Sequence, residues 1–117
     1  MRLISWNCRG LGNPSKAEAI KDLLKMEPSD ILMLQETEIE GKALLDTSKM
    51  KWKKKAGKAV SSRGSSGGLA TLWSEDLFQL NKSHETQHWI FTELMHNPSK
   101  LTFSLFNLYV PVLYSRK

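Results

Sequence analysis

Ile31-Leu32-Met33-Leu34 is a run of four apolar residues between a turn signal, Pro28-Ser29-Asp30, and the polar stretch Gln35-Glu36-Thr37. Successive side chains of a strand point to opposite faces, so this run is apolar on both. Such a strand has to be covered on both sides, which is the habit of layered α/β folds.

The residues before it supply a partner. Leu3-Ile4-Ser5-Trp6 reads as a short buried strand that ends in a tight loop at Gly10 and Gly12. A helix then starts near Ser15, an N-cap with Glu18 three residues later to complete a capping box. Ala19, Ile20, Leu23 and Leu24 share one face of it, and Pro28 stops it. Strand, helix and strand in this order form a crossover unit on a sheet. Glu36 then emerges at a strand end, where α/β folds handle ligands.

The remainder reads differently. Residues 38–48 have a weak pattern, either a short helix or a loop. Lys51-Trp52-Lys53-Lys54-Lys55 is a dense basic run, and Ser61 to Gly68 is a Ser- and Gly-rich loop. Strand periodicity returns at Leu69–Trp73, at Trp89–Leu94 and from Leu101 to Phe106, with Asn97-Pro98-Ser99-Lys100 as a hairpin loop. The expectation is an antiparallel meander joined to the first unit. Trp6 and Trp73 read as core residues.

Composition narrows the function classes. With 117 residues the chain holds one small domain. Lys and Arg number 17 against 12 Asp and Glu, a net charge of +5 that favours polyanions such as nucleic acid without requiring them. The basic run is either a solvated strand edge, where lysines block pairing, or a DNA-backbone surface with Trp52 as a stacking group. The single cysteine, Cys8, rules out a disulfide framework and fits an intracellular, reducing compartment. His84 and His88 have the spacing of helical zinc ligands, but their segment reads as strand and loop. No stretch reaches the about 18 apolar residues of a membrane span, so no membrane partner is expected.

Four segments occur in an order that points to one family: Ser5-Trp6-Asn7-Cys8-Arg9-Gly10-Leu11, Leu34-Gln35-Glu36-Thr37, Ser66-Gly67-Gly68-Leu69-Ala70-Thr71-Leu72-Trp73, and Asn107-Leu108-Tyr109-Val110-Pro111. With them the chain resembles the N-terminal half of an endonuclease/exonuclease/phosphatase domain, the DNase I-like Mg²⁺-dependent phosphodiesterases. Within that family it looks most like the endonuclease of plant non-long-terminal-repeat retrotransposons, relatives of the apurinic/apyrimidinic endonucleases.

The resemblance implies a truncated domain over residues 1–117. Its fold would be half of a four-layer α/β sandwich, mostly antiparallel, with one or two helices and mainly one of the two sheets. It implies that Glu36 ligates Mg²⁺, that Asn7 stands beside the metal, and that the Tyr109 hydroxyl meets a phosphate oxygen. A Glu oxygen suits a hard cation, and an amide donates and accepts at once. Gly67 and Gly68 match a turn where the backbone passes close to its neighbours. Arg9 stands where DNA-repair relatives often carry an acidic residue; it would contact phosphate instead, together with Lys51, Lys53, Lys54 and Lys55.

The family's later motifs, Gly-Asp-x-Asn, a further Asp and Ser-Asp-His, have no counterpart before Lys117. The expectation is therefore a fragment of a DNA-cleaving, Mg²⁺-dependent endonuclease with little or no activity. The rival readings are a non-catalytic nucleic-acid binder and a mobile-element relic. An uncovered sheet face would favour self-association, and the retroelement likeness implies a nuclear location.

Overall fold

The computed structural model describes residues 2–8, 18, 30–38, 55–61 and 67–108. Seven strands run through them: β1 (Leu3–Asn7), β2 (Ile31–Gln35), β3 (Lys55–Val60), β4 (Leu69–Ser74), β5 (Phe78–Glu85), β6 (Trp89–His96) and β7 (Thr102–Leu108). Of the expected helix only Glu18 is among the described residues, and it is helical.

The strands divide into two sheets, where the sequence led us to expect mainly one. The first has the order β1-β2-β4-β3 and the second β5-β6-β7. β1 and β2 are parallel, as a crossover demands, with Leu3 opposite Ile31 and Asn7 opposite Gln35. All other pairs are antiparallel. Of the strands expected in one meander, Trp89–Leu94 and Leu101–Phe106 do pair, as β6 and β7, but Leu69–Trp73 lies in the first sheet as β4, and β5 stands beside β6 instead. β5 itself is the strand that the sequence pattern does not announce. Its register slips between Leu80 and Lys82, so the alternation that marks a strand is broken there.

Burial follows the two-faced logic of β2. Leu32 and Leu34 pack with Cys8, Ala70 and Leu72 on one face of the first sheet, joined by Ile4, Trp6 and Ala59. Ile31 points the other way and meets Trp73, Phe78 and Leu94 between the sheets. Phe103 closes on Phe78 edge to face, with centroids 5.9 Å apart. Every residue of β4 is buried, which its central place requires. Trp73 is in the core and Trp6 packs on its margin, as expected.

β7 lies over β2 and β4, and β6 over β4 and β3. One end of the sandwich is thus formed by β1 and β7, the other by β3 and β5. At the first end Leu3, Phe106 and Leu108 remain 41%, 56% and 53% exposed. The Asn97–Lys100 loop turns as expected: Lys100 N–H donates to the His96 carbonyl at 2.7 Å, and Lys100 takes φ 62°. Among the described residues no helix is long and apolar enough to cross a membrane.

Candidate active site

Parallel pairing puts the C-terminal ends of β1 and β2 side by side. Cys8 N–H extends the ladder by donating to the Gln35 carbonyl at 2.8 Å. Asn7 and Glu36 therefore leave adjacent strand ends together, where α/β sheets handle ligands.

Beyond Gln35 the backbone turns sharply. Glu36 takes φ 53° and Glu38 φ 58°, a left-handed conformation that is uncommon outside glycine and is worth a functional question. The glycine pair before β4 holds this turn. Thr37 N–H donates to the Gly68 carbonyl at 3.2 Å, and Glu38 N–H to the Gly67 carbonyl at 2.8 Å. Gly67 and Gly68 themselves take φ 80° and 96°. A Cβ on Gly68 would collide with Thr37 Oγ1. The close approach expected of these glycines is therefore to the Gln-Glu-Thr turn.

β7 crosses the same region. Its Asn107 is buried, and the amide nitrogen reaches the Ala70 carbonyl at 2.8 Å, the Leu34 carbonyl at 3.2 Å and Thr71 Oγ1 at 3.3 Å. Gln35 Nε2 donates to Asn107 Oδ1 at 2.8 Å and to Ser5 Oγ at 3.0 Å. One polar network thus joins β1, β2, β4 and β7.

Between β1, β2 and β7 lies an open cleft of about 390 Å³. Ser5, Asn7, Gln35 and Glu36 form its polar wall; Met33, Phe106 and Leu108 form the apolar one. Among the described residues neither the Asn7 amide nor the Glu36 carboxylate has a hydrogen-bond or ion-pair partner, so both are available to a ligand.

Among the described residues the wall offers oxygen donors and a single carboxylate. Among the described residues no three His, Cys, Asp or Glu side chains cluster. A carboxylate with neighbouring amide oxygens suits Mg²⁺, which keeps several of its waters. The oxygens of Glu36 and Asn7 are of the kind that such an ion takes.

The expected site residues fare unequally. Asn7 and Glu36 share the cleft. Tyr109 lies outside the described residues, directly after Leu108 at the cleft wall. Arg9, Lys51, Lys53 and Lys54 also lie outside them. Lys55 opens β3, its side chain outside the described part, and β4 separates β3 from β2. Ser5, Gln35 and Asn107 were missed as site residues. A signal existed for two of them: Gln35 shares a strand face with Ile31 and Met33, and Asn107 with Phe103 and Leu105, so each is polar at an inward position.

The histidine spacing belongs to a longer pattern, in a segment that is strand and turn as expected. Glu85 follows His84, so His84-Glu85-Thr86-Gln87-His88 spells the full zinc-helix signature. Here His84 and Glu85 close β5 and His88 lies in the turn to β6, with the His84 ring 5.1 Å from that of Trp89. In a strand and turn the two histidines are not set one helical turn apart on one face, which the signature requires.

The model of the Endonuclease/Exonuclease/phosphatase family matches residues 4–114. Among solved structures, an AP endonuclease from Leishmania major is similar over 94% of this chain and 40% of its own, at 18% identity and a TM-score of 0.71. The catalytic domain of Xenopus laevis APE2 is similar over 96% and 46%, at 19% identity and 0.69. A 3′ phosphatase from Neisseria, bound to product DNA hairpin, is similar over 93% and 41%, at 19% identity and 0.62. At these identities the likeness establishes the fold, a partial DNase I-like sandwich. The chain spans less than half the length of each of these three structures. No match emerges among curated protein sequences.

Proposed function

Because this chain belongs to the endonuclease/exonuclease/phosphatase family, we propose that it forms part of a Mg²⁺-dependent endonuclease that cleaves DNA phosphodiester bonds. The observation that carries the reading is the pairing of Asn7 and Glu36 in one cleft, both unpartnered among the described residues, with Glu36 held at positive φ. Names among the similar structures, an AP endonuclease and a 3′ phosphatase bound to a DNA hairpin, support DNA as the substrate. The motif set quoted above supports kinship with plant retrotransposon endonucleases, and with it a nuclear location.

Glu36 and Asn7 would hold the Mg²⁺, which when bound supplies charge stabilisation at a phosphate oxygen and acidifies a water. Ser5 Oγ accepts from Gln35, so its own hydrogen remains free to donate to phosphate. We assign the second phosphate contact to Tyr109. Among the described residues the cleft wall has one carboxylate and no histidine. A lone carboxylate positions a nucleophile poorly, so we expect slow cleavage by this chain alone.

Nicking of supercoiled plasmid tests this. Slow, Mg²⁺-dependent nicking is expected, falling roughly tenfold or more in Glu36→Gln. Nicking without Mg²⁺, or nicking indifferent to Glu36→Gln, would count against the proposal. A folded chain that never nicks would leave DNA binding as its activity.

DNA backbone contact is assigned to Arg9, Lys51, Lys53, Lys54 and Lys55. Replacing the four lysines with Gln should flatten the plot of log affinity against log salt by roughly 0.9 for each phosphate that is no longer neutralised. An unchanged slope would make the run a solvated strand edge. Self-association is proposed at the end of the sandwich where β1 and β7 leave Leu3, Phe106 and Leu108 exposed; a monodisperse monomer by light scattering would refute it.

A further inference from the structure

The polar network fixes the direction of two amides, and the second has an oxygen to spare. The backbone carbonyls of Leu34 and Ala70 only accept, so the Asn107 amide must turn its nitrogen to them. Asn107 Oδ1 is thereby left as an acceptor, and Gln35 must meet it with Nε2, at 2.8 Å. The other hydrogen on Nε2 is taken by Ser5 Oγ at 3.0 Å. Both Gln35 donors are spent inside the protein. Gln35 Oε1 has no partner among the described residues, and Gln35 lines the cleft beside Glu36 and Asn7.

Reversing the Gln35 amide would set two acceptor oxygens, Oε1 and Asn107 Oδ1, against each other. The network therefore presents a carbonyl oxygen to the cleft and withholds the N–H groups. A carbonyl oxygen suits a hard cation, directly or through one of the waters such a cation retains.

We infer that Gln35 Oε1 is an oxygen ligand for the hydrated divalent cation at Glu36, and that Asn107 is the positioning residue that turns it there. The inference rests on the cation site proposed above. It adds a binding role for Gln35 and explains why a polar side chain is buried at Asn107. Asn107 touches no ligand; it acts only through the Gln35 amide.

The test is a Mg²⁺ titration of the unaltered chain, followed by the side-chain ¹³Cδ resonances of Gln35 and Glu36. Both are expected to move together with one affinity. Movement of Glu36 alone would overturn the role of Gln35 and leave the cation site standing. Movement of neither would overturn the cation site and this inference with it. A second measurement uses Gln35→Met, which keeps the side-chain length and removes the amide. Its Mn²⁺ affinity by calorimetry should fall roughly tenfold, the size of effect expected when a supporting oxygen of a metal site is removed. An unchanged affinity in folded Gln35→Met would overturn the inference independently.

Discussion

Asn107→Asp should cost roughly 3–5 kcal/mol at neutral pH, although it changes one NH₂ group into one oxygen. The Asn107 side chain is 1% exposed, and its nitrogen faces the Ala70 and Leu34 carbonyls. An ionised carboxylate there would oppose two acceptors with no cation in hydrogen-bond reach among the described residues. Burial and these acceptors would raise the folded-state pKa of the new group. A raised carboxyl pKa makes the penalty absent in acid, where the group is protonated folded and unfolded alike. The penalty grows as pH rises above the unfolded value of about 3.9. Urea midpoints of the variant relative to the parent should therefore lie close together near pH 4 and far apart at pH 7.5. Equal differences at both pH values would show that the site is wet, and that the network is weaker than its distances suggest.

Gly68→Ala should be nearly as damaging, by about 3 kcal/mol, for a different reason. Part is backbone: a φ of 96° is a conformation that a side-chain-bearing residue rarely adopts. Part is collision, because the new methyl would strike Thr37 Oγ1 and come within 3.1 Å of the Glu38 nitrogen. The urea midpoint should drop by at least about 1 M if the denaturant slope is typical for a small domain. Among the described residues Thr37 Oγ1 is itself buried without a hydrogen-bond partner. Thr37→Ala should accordingly cost little, and Gly68→Ala should cost less in its presence than alone. Additive effects would mean that the loss is all backbone strain and that the collision is relieved by movement of the turn.

The sequence disclosed these features unevenly. Apolar runs of the right length disclosed β1, β2, β4, β6 and most of β7, because strand burial is written in local alternation. The glycine pair disclosed a close approach without saying to what. β5 was obscured by the register slip after Leu80, which breaks that alternation. Asn7 and Glu36 were legible because short motifs surround them. Gln35 and Asn107 stood inside the same motifs and still gave no sign of their bond, since they are 72 residues apart and it exists only once β7 has crossed β2. Division of the strands into two sheets was hidden for the same reason: periodicity says which side chains face inward, never which sheet they face.

The two ends of the sandwich have a further consequence. At one end, β5 carries a register slip with exposed Lys82, and β3 carries Lys58; both features discourage a neighbouring strand. At the other, β1 and β7 carry neither a described charge nor a slip, and Leu3, Phe106 and Leu108 are bare. Among the described residues the bare apolar side chains of these two ends lie at one of them, which is the geometry of a cap. Two such molecules meeting pole to pole, as the proposed self-association requires, would satisfy each other by a two-fold axis. Association by this route is self-limiting, so concentrating the chain should yield pairs of fixed size rather than fibres of growing length.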